Sequence, residues 1–126
     1  MKHFFLVLAL AAAAAPADAA GLPKRVGQCV LTTVKDVETR LQDADNAPVA
    51  GSGSAVAFAN GGYQVSYDQV PEVDASRPGD PVRMCLVAIP RHCPPGDARG
   101  RVYRSTNLRT HGVWRLPDSE HSCGGA

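Results

Sequence analysis

No apolar run in this chain is long enough to cross a bilayer: the longest, Phe4–Ala15, holds about twelve residues against the roughly twenty that a spanning helix needs. A G-x-S-x-G nucleophile elbow is missing, as is a C-x-x-C knuckle, and with them go the usual sequence marks of an α/β-hydrolase and of a structural zinc site. Aromatic residues are scarce, with one Trp, three Tyr and three Phe. Glutamate occurs only at Glu38, Glu72 and Glu120, which read as exposed positions, so the rigid carboxylate pair of a glycosidase is not expected. Lysine stops at Lys35. Beyond residue 76 every cation is an arginine, eight of them against four acidic residues, whereas residues 20–76 carry four basic and seven acidic groups. Overall the charge is close to zero, formally +1. The plain reading of this unevenness is a solvated surface with a charge gradient; the sharper one is an anion-facing patch built by the second half.

What is present begins with Lys2 and His3 ahead of Phe4–Ala15, closed by Ala17-Asp18-Ala19. A basic start, a short apolar core and small residues at −3 and −1 predict a cleavable secretory signal over 1–19. The expected mature chain, 20–126, is a single β-domain with no transmembrane segment, and its setting is periplasmic or secreted. Nucleic acid is not an expected partner there. Cys29 lacks a lipobox, so lipid anchoring is not expected either.

Four cysteines, an even number in an exported chain, read as two disulfides. Three pairings exist. The favoured one joins Cys29 to Cys85, both mid-strand among aliphatic neighbours, and Cys93 to Cys123, which flank the terminal hairpin.

Strand signals dominate the rest. Gln28–Val34 is rich in β-branched residues and its pattern runs on to Leu41, with the apolar face changing parity near Lys35; this predicts a bulge or bend there. A helical reading of Val34–Leu41 competes with it through the i, i+3, i+7 spacing of Val34, Val37 and Leu41. Ser54–Ala59, Tyr63–Val70, Val82–Ile89, Arg101–Asn107 and Val113–Leu116 are the further strands. Asn60-Gly61 between two of them predicts a type I′ hairpin. In Tyr63–Val70 the alternation sets Tyr63, Val65 and Tyr67 against Gln64, Ser66 and Asp68. Val82–Ile89 is apolar on both faces except at Arg83, which places it centrally in a sheet. Trp114 is expected in the core. Gly51-Ser52-Gly53-Ser54 reads as a flexible link. The fold class is therefore all-β, a small antiparallel barrel or sandwich of five to six short strands, OB-like or SH3-like in form, stapled by disulfides.

Candidate site residues follow from the second half. Arg99, Arg101 and Tyr103 share one strand face, Arg104 takes the other, and Arg109 sits in the next loop. Arg99, Arg101, Tyr103 and Arg109 are the expected ligand-facing set, since arginine forks recognise carboxylate, sulfate or phosphate. Arg109 has a second reading, bonding carbonyls of its own loop. His92 beside Cys93 and His121 near Cys123 form the alternative of a mixed nitrogen and sulfur metal site, which requires reduced cysteines. Ser119, His121 and Asp118 are too close in sequence to converge as a triad. No catalytic residue and no cofactor is expected.

Cys93-Pro94-Pro95-Gly96-Asp97, then Thr106-Asn107-Leu108-Arg109-Thr110, Trp114, Leu116-Pro117-Asp118-Ser119, His121 and Cys123-Gly124-Gly125-Ala126 make up a pattern over the last third of the expected mature chain. By it, the chain resembles small uncharacterised exported proteins of Gram-negative bacteria, a likeness that implies an envelope setting. A looser likeness at fold level links it to periplasmic lysozyme inhibitors, whose cysteine spacing differs. The expected function is a non-catalytic exported β-domain that binds an envelope protein or an anionic polymer. The alternatives are metal binding through the His/Cys cluster and inhibition of a cell-wall hydrolase.

Overall fold

A computed structural model describes residue 11 and residues 21–125. The expected signal, 1–19, lies outside the described stretch except for that one residue. β1 (Cys29–Thr39) is the organising strand. Its first part pairs antiparallel with β4 (Pro81–Ala88), from Cys29↔Cys85 to Thr33↔Pro81. Its second part pairs with β2 (Ser54–Phe58), from Val34↔Phe58 to Thr39↔Ser54. The register shifts between Val34 and Asp36, so Lys35 is the extra residue of a bulge. The parity change in the sequence has this cause: one strand serves two halves of a sheet, and the bulge turns it from one to the other. The helical reading of Val34–Leu41 does not hold.

β3 (Tyr63–Ser66), β5 (Val102–Asn107) and β6 (Val113–Pro117) complete a six-stranded antiparallel sheet in the order β3-β2-β1-β4-β5-β6. It curls into a half-barrel. One short helix, α1 (Pro71–Asp74), interrupts the expected loop before β4, with Pro71 in its first turn, where a missing N–H costs nothing. Its Val73 is fully buried and belongs to the same core as Val34, Val56, Phe58, Val82, Met84, Leu86 and Trp114. β4 is central, as its two-sided apolar pattern requires.

The β2–β3 hairpin forms with a different turn from the one expected. Asn60 does not adopt positive φ; Gly61 alone does, at +86°. The Gly61 N–H donates to the Phe58 carbonyl and the Phe58 N–H to the Gly62 carbonyl. That is a three-residue connection with glycine in the left-handed position. The Asn60 side chain is used instead to accept the Gly62 N–H at 3.0 Å.

β3 does not divide into one buried and one exposed face: Val65 is buried on the tyrosine side and Gln64 on the other. Gln64 points inward and is wholly buried, whereas Tyr63 and Tyr67 are exposed. Its Oε1 accepts the Trp114 Nε1–H (2.6 Å), and its amide shares two hydrogen bonds with the Ser105 hydroxyl (2.9 and 3.1 Å). β3 and β6 are the two ends of the sheet and no ladder joins them. The Gln64 side chain crosses that seam, which is why a polar residue takes an interior position.

Residues 51–54 are not a flexible link. The Leu41 N–H bonds the Ser52 hydroxyl, Arg40 Nε bonds the Ser52 carbonyl, and the Arg40 N–H bonds the Gly53 carbonyl. Gly53 sits at φ +117°, and a Cβ there would lie 2.0 Å from the Ser66 carbonyl oxygen.

Both favoured disulfides are present. Cys29–Cys85 joins directly opposed residues of β1 and β4, with Cα atoms 4.0 Å apart, and Cys93–Cys123 closes the loop around the terminal hairpin at 5.3 Å.

Candidate functional site

Two of the three arginines in the expected ligand-facing set, Arg99 and Arg109, are held by carboxylates of the fold. Arg99 grips Asp97 through Nε and a terminal nitrogen (3.0 and 2.9 Å) and also donates to the Gly125 carbonyl. Asp97 in turn accepts the Gly124 N–H, so the tail is tied down beside the Cys93–Cys123 bridge. The Arg99 guanidinium and the Gly124 N–H hold the Asp97 carboxyl well below the usual range. Arg109 binds Asp80, with a terminal nitrogen 2.9 Å from Oδ2, and reaches the Ala75 carbonyl at 3.3 Å. Asp80 is buried and also accepts from Asn107 Nδ2 and the Arg77 N–H. These donors, the Arg109 fork first, push its carboxyl far down despite burial. The Thr106–Thr110 pattern is thus an anchor joining the β5–β6 hairpin to the loop after α1; Arg109 bonds that second segment rather than the carbonyls of its own loop.

Tyr103 is 3% exposed and is a core residue, not a ligand-facing one. Burial, with the Asp118 carboxylate second, raises its phenol, so it stays neutral. Arg101 lies half-buried beside it. The four residues do not share a face: Arg99 and Arg109 lie beyond opposite ends of β5.

His92 and His121 are exposed, and the neighbouring sulfurs are joined as disulfides, which removes them as metal ligands. Among the described residues no three His, Cys, Asp or Glu side chains gather at metal-binding distances. The Ser119 hydroxyl donates to the His121 carbonyl rather than to its ring, and Asp118 accepts the Gly100 N–H. Two hollows flank the β3/β6 seam, of about 160 and 240 Å³. The smaller is lined in part by Gln64, Tyr103 and Asp118.

Arg25, Arg77 and Arg91 are exposed outside the strands, and three further arginines stand on the outer face of the sheet. Core residues alternate with them: Val82 and Met84 flank Arg83, Tyr103 and Ser105 flank Arg104, Trp114 and Leu116 flank Arg115. Because the flanking residues point in, the arginines point out, and all three are exposed. Register places them together. One row across the sheet reads Cys29–Cys85–Arg104–Arg115 and the next Leu31–Arg83–Thr106–Val113. Arg83 is therefore diagonal to Arg104, and Arg104 is directly opposite Arg115.

The Asn107 N–H donates to the Gly112 carbonyl and the Asp118 N–H to the Arg101 carbonyl. The odd-numbered residues of β5 therefore make the ladder to β6, and Arg104↔Arg115 is a non-hydrogen-bonded pair. Such pairs bring Cα atoms to about 4.5 Å and side chains closest. Like charges at directly opposed positions are destabilising, on the order of 0.2–1 kcal/mol. No carboxylate occupies an outward position in these two rows. The ion pairs among the described residues engage Arg40, Arg99 and Arg109 only.

The other half of the sheet has the opposite sign. Asp36 and Glu38, opposite Ala57 and Ala55, face outward on β1, and hydrogen bonding to Asp36 raises the Glu38 carboxyl, with partial burial adding to it. The outward positions after the bulge of β1 thus carry acids where those of β4, β5 and β6 carry arginines, with Lys35 exposed at the bulge itself.

No known protein family, characterised protein or solved structure matches the chain.

Proposed function

We propose that this protein is a non-catalytic binding module that holds an anionic component of the cell envelope against the face formed by Arg83, Arg104 and Arg115. The observation that carries the reading is the unrelieved opposition of Arg104 and Arg115, with Arg83 diagonal to the pair and no carboxylate in their rows. Within the fold this arrangement costs stability. A multivalent anion turns the same three charges into charge-assisted hydrogen bonds. The two disulfides support an oxidising compartment, and the polymers and surfaces there are rich in phosphate and carboxylate.

Immobilised heparin, used as a generic polyanion, tests the reading. The wild-type chain is expected to be retained at low salt and released as salt screens the exposed charges. R83Q/R104Q/R115Q is expected to run through while keeping the native circular dichroism spectrum. Retention of that triple variant at the wild-type salt concentration overturns the assignment of the face.

A further inference from the structure

Resting on the function just proposed, we infer that the ligand of the arginine face is an anionic lipid surface, not a soluble polyanion. The inference comes from what stands beside the arginines. Leu31 is 53% exposed and Val113 45% exposed, and they occupy the two ends of the row that contains Arg83. That row crosses four strands, so the apolar ends lie about 14 Å apart with the cations between and beside them. Single exposed apolar side chains need no explanation. Two of them bracketing three unpaired guanidiniums on one sheet face make an amphiphilic patch, and a soluble polyanion uses only half of it.

A lipid surface uses both halves. Phosphate headgroups take the guanidinium forks, and the boundary between headgroups and acyl chains receives Leu31 and Val113. Charge complementarity orients the approach: Asp36 and Glu38, outward on the far half of β1, are repelled by the same surface, which favours docking through the β4–β6 side. Each arginine near such a surface strengthens binding about fivefold, so removing three weakens it on the order of 100-fold. The arginines act as positioning and binding groups and leave the core untouched.

Flotation with vesicles separates this inference from the parent reading. Vesicles of phosphatidylglycerol mixed with phosphatidylcholine are the probe, and pure phosphatidylcholine vesicles are the control. The wild-type chain is expected to float with the anionic vesicles only. R83Q/R104Q/R115Q is expected to lose partition about 100-fold. L31S/V113S is expected to keep its heparin elution point and lose vesicle partition about tenfold. Both altered side chains are exposed, and unchanged Trp114 fluorescence verifies the fold. Retention on heparin without flotation overturns the lipid inference and leaves a soluble polyanion or an acidic protein as the ligand. Equal flotation of L31S/V113S and wild type overturns it as well. Failure on both heparin and vesicles removes the parent reading with it.

Discussion

Replacing Gln64 by leucine tests whether the half-barrel is closed by one side chain. Gln64 is fully buried, and its amide makes every polar contact that ties β3 to the β5–β6 hairpin in the core: one bond from Trp114 at 2.6 Å and two with Ser105. Leucine fills a similar volume but leaves the Trp114 N–H and the Ser105 hydroxyl without partners in a dry interior. An orphaned buried donor or acceptor costs about 1–3 kcal/mol. With two orphans, and some return from added apolar burial, Q64L is expected to lose about 2–4 kcal/mol. That is a large part of the 5–15 kcal/mol typical of a domain. The melting temperature should fall by roughly 10–25 °C. Urea unfolding followed by fluorescence reads it directly, since Trp114 is the single tryptophan and lies at the site. The cycle with S105A adds a sharper test. S105A removes one of the orphans that Q64L creates, so the double variant should be more stable than the sum of the singles by about 1 kcal/mol or more. If Q64L matches wild type within 0.5 kcal/mol, or the two changes add without coupling, the seam does not depend on this residue and the account of β3 is wrong.

Acid should weaken the α1 anchor in a defined direction. The folded Asp80 carboxyl titrates lower than in the unfolded chain, so its stabilisation is complete above the usual carboxylate range and is lost as pH falls below about 4; the acid-induced loss should shrink in D80N, as measured by urea midpoints against pH. C93S/C123S should lose up to about 4 kcal/mol, the loop-entropy figure for a bridge of this span, and a much smaller loss would mean that the Asp97–Arg99 clamp holds the tail by itself. G53A should cost about 3 kcal/mol or more, because the added Cβ falls on the Ser66 carbonyl in a backbone conformation that L residues avoid; thermal melting checks it. R104E should raise stability by about 0.5–1 kcal/mol, by exchanging a repulsion for a cross-strand ion pair with Arg115, while abolishing heparin retention.

Legibility in the sequence followed the strength of local constraint. The bulge at Lys35 was visible because a parity change in an alternating strand has few other causes, and both disulfides were visible because the cysteines sat in strand and hairpin positions that could meet. The central place of β4 came from its two apolar faces. What stayed hidden depended on closure. Gln64 reads only as one of the polar set opposite Tyr63, Val65 and Tyr67 until the two ends of the sheet meet and need a polar bridge. Val73 looks like part of a loop until α1 carries it under the strands. At the candidate site, alternation put Arg104 on the opposite side of the strand from Tyr103, but the ligand-facing set was read on the Tyr103 side. Tyr103 fills the core, and the exposed side belongs to Arg104. Arg83 stood out as the one break in an apolar strand face, yet only the β4–β5–β6 register brings it beside Arg104 and Arg115.

The contrast among the arginines bears most directly on the function. Where this fold needs a cation for its own architecture, it supplies an acid: Glu120 for Arg40, Asp97 for Arg99, Asp80 for Arg109. Each of those pairs joins a loop or the tail to another segment, and Arg40 is held further by the Tyr67 ring, 4.3 Å from its guanidinium carbon. Arg83, Arg104 and Arg115 join nothing. They lie on regular strands already fixed by ladders and by the residues beneath them, so the fold gains no link from their charge and is strained by two of them facing each other. An acid at any outward position nearby would relieve that repulsion, and those positions hold cysteine, leucine, threonine and valine instead. A face kept rigid, cationic and unneutralised at a cost in stability is suited to meet charge brought by another body, and the apolar residues at both ends of its Arg83 row favour a body with an interface of its own.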